Sequence, residues 1–224
     1  MPEKELSEKS YEVPLQMIED LKKDDSLRQV LESQSGSWEN YTVGQHTLMV
    51  MNQYEKYFSG KPLPLDLDEN SFLRILLVHD LGKAKAVAEG DKDKQHEYNV
   101  DLGIKILKEL GSSEKEINIA KALLCGDTFG KYVGSRNYEI EKTVSEIKEI
   151  SETAGIGIED LLNLLMVYYQ CDAGAYTEDA TIEGIVVGKK SIDRYFVFSP
   201  EKREMKFSAD SQRKIDLLKK ELGI

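Results

Sequence analysis

Apolar residues recur every three or four positions along most of this chain, a spacing that restricts it to amphipathic helices packed on one another. Leu15, Ile18 and Leu21 step in this way, and Leu27, Val30 and Leu31 repeat it, with Pro14 placed for a first helical turn. SQSGSWEN (33–40) is a loop by composition. A helix is expected from Val43 or Gly44 to about Phe58, ended by Gly60, Pro62 and Pro64. Asp68, Glu69 and Asn70 offer capping chemistry for the next helix, which carries FLRILLVHDLGK and is stopped or kinked at Gly82 by a left-handed glycine. Residues 89–95 read as a charged loop. Helices follow over Glu97–Leu110, from Ser113 (in capping-box register with Glu116) to Leu124, and over Glu139–Thr153 and Glu159–Cys171. The glycine-spaced stretch 126–138 reads as a loop with a short helical turn. Only near the end does the period change: RYFVF (194–198) and EMKF (204–207) flank SPEKR as a hairpin, before a short helix at about 210–222. The expectation is an all-α helical bundle with a small C-terminal β-hairpin. It divides into an N-terminal helical extension (1–39), a central helical domain (40–175), and a C-terminal hairpin and helix (176–224) packed on that domain.

Charge narrows the function. The 224 residues carry 30 lysines and arginines against 41 aspartates and glutamates, a net charge of −11. Such a chain repels polyanions, so no nucleic-acid track is expected. Cys125 and Cys171 lack CxxC spacing, which argues against a disulfide scaffold or a cysteine-based zinc site. The polar start MPEKELSEKS does not read as a signal peptide, so none is expected, and no apolar run nears the roughly 20 residues needed to span a bilayer. A cytoplasmic protein with no membrane partner is expected.

The histidines number three, His46, His79 and His96. His79 follows Phe72, Ile75 and Leu76 on an apolar stripe, and His46 shares its face with Met49, Val50, Gln53 and Tyr57. Asp172 stands four residues after Tyr168 and seven after Leu165 on another such stripe. A carboxylate on a buried face is costly unless paired or bound to a cation. With Asp80 beside His79, two imidazoles and two carboxylates converge into a mixed nitrogen and oxygen metal site. Four protein ligands leave positions on an octahedral ion for water or substrate.

His46, then His79-Asp80, then Asp172 resembles the H…HD…D signature of the HD superfamily of metal-dependent phosphohydrolases. LLVHDLGKA, GQHTLMV and YYQCDAG resemble that family's motifs around these residues, over about residues 40–175. The resemblance implies an HD-type helical domain holding one divalent metal (Mn, Mg, Co, Ni, Fe or Zn) on His46, His79, Asp80 and Asp172. It also implies phosphoester hydrolysis on a small phosphorylated substrate, commonly a nucleotide, and a phosphate contact for Lys83.

Lys83, three residues after Asp80, would place a point charge near a phosphate oxygen. HEYNVDLGIKIL resembles the family's third histidine motif, and His96 is expected to touch the phosphate or act as an acid. Where two-metal members often continue with histidine, this chain has Cys125, Gly126 and Asp127, which favours a single metal. Asp127, Lys131 and Arg136 are further substrate-binding candidates, and Trp38 and Tyr41 are placed to line a pocket mouth. The catalytic set is thus Asp80, Lys83 and His96. The rival reading is a regulatory module that keeps its metal and senses a nucleotide without turnover. An exposed hairpin edge would suit a homo-oligomer.

Overall fold

Five helix starts among the described residues are fixed by a side chain, of Asp24, Thr42, Asp68, Ser113 or Ser208, that accepts an otherwise unpaired backbone N–H. The computed structural model describes residues 12–35, 40–134, 138–182, 185–186 and 190–224. The order is α1 (Glu12–Leu21), α2 (Asp25–Glu32), α3 (Val43–Tyr57), α4 (Glu69–Val78), α5 (Lys83–Glu89), α6 (Gln95–Glu109) and α7 (Glu114–Leu124). It continues with α8 (Thr128–Gly134), α9 (Ile140–Ala154), α10 (Ile158–Gly174), β1 (Thr181–Ile182), β2 (Ile185–Val186), α11 (Lys190–Asp193), β3 (Phe196–Ser199), β4 (Glu204–Phe207) and α12 (Ala209–Leu222). It is an all-helical bundle with an antiparallel C-terminal hairpin, β3 against β4. β1 and β2 form a second, two-residue antiparallel pair. Among the described residues no helix is long and apolar enough to cross a membrane.

Capping boxes start α3 (Thr42 with Gln45) and α7 (Ser113 with Glu116), and Asp68 caps α4. α3 is the organising helix: α1, α2, α4 and α10 all pack on it. Its buried Met49, Val50, Met51, Tyr54 and Tyr57 join Phe72, Leu76, Leu161 and Leu165 in one core. Fully burying such side chains stabilises by roughly 1.5–3 kcal/mol each, which holds α3, α4 and α10 in register. The hairpin docks through Phe196 and Phe207, whose rings pack on Tyr169, while Phe207 also meets Phe129 edge-on.

The two apolar steps at the start lie on separate helices, divided at residues 22–24, where Asp24 caps the second. The short helical turn expected in the glycine-spaced stretch is the seven-residue α8. One expectation is revised, beside the histidines: α4 ends at Val78 with His79 as its cap, and α5 begins at Lys83. Gly82 lies between them at φ −76°, in ordinary right-handed conformation. It is needed for space instead. A Cβ there would stand 2.5 Å from the Asn99 nitrogen and 2.6 Å from Tyr98 Cβ. The close approach lets the Gly82 N–H donate to Asn99 Oδ1 at 2.7 Å, tying this turn to α6.

Candidate metal centre

α3, the end of α4 and the end of α10 bring His46, His79 and Asp172 together. One ligand atom from each lies within 4.8 Å of the others, so the cluster is capable of chelating a metal ion. His46 is fully buried, and its Nε2 is 3.0 Å from Asp172 Oδ1. The Tyr41 ring stacks on its imidazole at 5.9 Å, and the Tyr176 ring lies 4.6 Å away. His79 is also buried, and its Nε2 is 3.7 Å from the same Asp172 oxygen. Ligand atoms about 2.1 Å from one ion stand roughly 3.0–3.4 Å apart, so these separations suit a shared cation.

Protonation fits as well. His79 Nδ1 is 2.6 Å from the Leu76 carbonyl oxygen. A carbonyl only accepts, so Nδ1 carries the hydrogen and Nε2 keeps its lone pair. That buried Nε2 has no hydrogen-bond partner among the described residues, which is costly in a core and is resolved by a cation. Burial lowers the His79 pKa further than the nearby carboxylates raise it, so the ring is neutral, as a ligand must be. Burial alone would raise Asp172, but the hydrogen bond from His46 and the proximity of both imidazoles keep its carboxyl below the usual range. The Asp172 side chain is 35% exposed, so the cluster is open on this side.

Asp80 stands at the edge of this set. Its Oδ2 is 3.8 Å from His46 Nε2, while Lys83 Nζ reaches Oδ2 at 3.2 Å and Gln95 donates to Oδ1 at 2.9 Å. Burial pushes this carboxyl up, but His79, Lys83 and His46 outweigh it and hold Asp80 ionised. Lys83 lies in the first turn of α5, where the helix dipole disfavours a cation. Its side chain is nonetheless drawn inward, with Nζ on Asp80 and 3.4 Å from the Tyr176 hydroxyl.

Beside the cluster lies a cleft of about 650 Å³ whose lining includes His96, Asp127 and Lys131. His96 adjoins Gln95, the residue that holds Asp80. Burial and Lys131 lower its pKa more than Asp80 and Asp172 raise it, and its ring bonds the Leu124 backbone. The Asp127 carboxyl lies against Gly130, where a Cβ would collide with it. Partial loss of its surrounding water in the cleft and the charge of Asp172 push its pKa up to about 7, against Lys131 and the Gly130 N–H. Arg136 and Trp38 lie outside the described residues.

Sequence reasoning missed Gln95, Tyr176 and Tyr168. Gln95 precedes His96, and Tyr176 follows Asp172 by four, a spacing that places both near one face. Tyr168 meets His79 edge-on at 6.3 Å.

No family model, curated protein or solved structure matches this chain. The buried His-His-Asp cluster is consistent with an HD-like motif.

Proposed function

We propose that this protein is a metal-dependent phosphohydrolase that cleaves a phosphoester of a small phosphorylated substrate. Nucleotides are the class to which its motifs point. The observation that carries the reading is the unpartnered, buried Nε2 of His79, which shares Asp172 with His46. His46, His79 and Asp172 would hold one divalent ion, with Asp80, whose Oδ2 is 3.8 Å from His46 Nε2, as the fourth ligand. An ion bound there supplies Lewis acidity, polarising a phosphoryl oxygen and making water a better nucleophile near neutral pH.

The remaining work falls to the chain. Lys83, steadied by Asp80 and Tyr176, sets a positive charge against the phosphoryl oxygens as charge builds on them. His96 is neutral near pH 7. With one ring nitrogen engaged by the Leu124 backbone, the other is available to contact phosphate or take a proton. Asp127 carries a proton part of the time near neutrality and suits the acid that protonates the leaving oxygen. Lys131, on the same cleft wall, and Arg136 assist phosphate binding.

The test is a substrate screen on protein stripped with chelator and reloaded with Mn²⁺, Mg²⁺, Co²⁺, Ni²⁺, Fe²⁺ or Zn²⁺. Phosphomonoesters, nucleoside mono-, di- and triphosphates and cyclic nucleotides are offered. Release of phosphate or of nucleoside monophosphate should need metal and vanish in a His79→Ala variant with unchanged circular dichroism. Metal-loaded protein that binds nucleotide but turns over none of the panel would favour the sensing module instead.

A further inference from the structure

Helix α10 carries two adjacent tyrosines that differ in what they touch. Tyr169 stacks on Phe207 and meets Phe129 edge-on, so its ring belongs to the core under the hairpin. Tyr168, turned about 100° from it around the helix, faces the metal cluster instead. It stands one turn before Asp172, so the two share a face of α10. Its ring meets the His79 imidazole edge-on, with centroids 6.3 Å apart and an angle of 81° between the planes. Tyr168 is half-buried, and among the described residues its hydroxyl makes no hydrogen bond.

The charges that act on this hydroxyl come from both parts of the site. Asp172 and Asp80 belong to the metal cluster and its edge, and Asp127 lines the cleft. Burial, followed by these three carboxylates, pushes the phenol well above its ordinary pKa, so it keeps its proton. An anion that enters among carboxylates is repelled by each of them and needs donors that are not already spent. The Lys83 amine is engaged by Asp80 and Tyr176. The Tyr168 proton is engaged by no described residue.

We propose that the Tyr168 hydroxyl is a substrate contact of the metal site, donating its hydrogen to a phosphoryl oxygen. The proposal rests on the phosphohydrolase reading and adds a donor to it. Asp172 and Tyr168 come from one turn of one helix, so ligand and donor are presented by a single rigid element. A neutral donor suits this place better than a second lysine would, because it adds no charge to compete with the ion for Asp172.

Tyr168→Phe removes the oxygen and keeps the ring on His79. The experiment compares it with the parent, both stripped with chelator and reloaded with Mn²⁺, and uses inorganic phosphate as the probe. Calorimetry should show phosphate binding weakened at least about tenfold in the variant, the size expected for a hydrogen bond to a charged partner. Mn²⁺ affinity without phosphate should stay within about twofold and Tm in chelator within about 2 °C, because the lost hydroxyl bonds nothing in the described protein. A role in the fold would lower Tm, and a role in holding His79 would weaken Mn²⁺ binding. Either result, equal phosphate affinities in the two proteins, or a parent that binds no phosphate would overturn the proposal. Phosphate release from the ester panel is followed in the same two proteins. Weaker phosphate binding by the variant, with no ester cleaved by the parent, would sink the phosphohydrolase reading and leave Tyr168 as the donor of an anion site. Cleavage by the parent with phosphate affinity unchanged in the variant would do the reverse.

Discussion

His79 Nδ1 lies 2.6 Å from the carbonyl oxygen of Leu76, three residues earlier, and this bond decides which nitrogen of the ring is turned toward Asp172. The carbonyl takes the Nδ1 hydrogen, so the Nε2 lone pair faces a carboxylate shared with His46. Helix α4 thus ends in a ligand whose tautomer is set by its own backbone.

Metal should therefore stabilise the fold. Divalent ion at about 100 times its Kd adds about 2.7 kcal/mol, which for a chain of this size raises Tm by roughly 5–10 °C. Differential scanning fluorimetry of chelator-treated protein with Mn²⁺ or Zn²⁺ should show this rise. Elemental analysis should find one ion per chain. His79→Ala should show neither. An unshifted Tm and no bound ion in the parent protein would remove the metal centre.

Gly82→Ala tests the turn that follows. The added Cβ meets the Tyr98 and Asn99 backbone, which cannot swing aside as a side-chain tip can. Overpacking of this kind costs typically 1–3 kcal/mol. The shift should also loosen the bond from Gly82 to Asn99 and displace Asp80 and Lys83. Urea denaturation should show a lower midpoint with an unchanged slope. A midpoint equal to the parent's would mean that the α4–α5 turn has room to spare.

What could be read from the sequence differs between the scaffold and the site. α3 and α7 were legible because capping residues and apolar stripes are local signals. His46, His79 and Asp172 were legible because polar groups on apolar stripes need a reason to be buried. The break between α4 and α5 was half legible. Gly82 marked it, but the reason is contact with residues 98 and 99, which no local pattern reveals. Gln95 on Asp80 and Tyr176 beside His46 were hidden for the same reason, since each depends on how separate elements meet.

Asp127 gives the protein a pH signature. Its pKa is raised in the folded state to about 7, above the ordinary value of 3.8. The folded state therefore holds this proton more tightly than the unfolded chain does. The resulting stability is full below about pH 3.8 and is lost as pH rises through about 7. Asp127→Asn keeps an acceptor for the Gly130 N–H and removes the titration. In chelator, the variant's advantage over the parent should be least near pH 4, grow toward pH 7 and level off by pH 8. The effect should be modest, because Asp127 is exposed on the cleft wall. Parallel stability profiles for the two proteins across this range would refute the raised pKa.

Lys83 separates metal binding from chemistry. Its amine reaches Asp80, at the edge of the cluster, and the Tyr176 hydroxyl. Lys83→Ala should therefore keep its metal, read as an undiminished Tm rise on adding Mn²⁺. If the amine meets charge that develops on the phosphoryl oxygens, kcat/KM should fall on the order of 10²-fold or more. Most of that loss should lie in kcat, because charge that appears only in the transition state is not felt by bound substrate. A loss confined to KM would make Lys83 a ground-state phosphate contact. Loss of the metal-induced Tm rise would mean that its role is to hold Asp80 in place for the ion. Full activity with full metal binding would leave the buried Lys83–Asp80 pair as packing alone. The phosphate charge would then fall to His96 and Lys131 on the cleft wall.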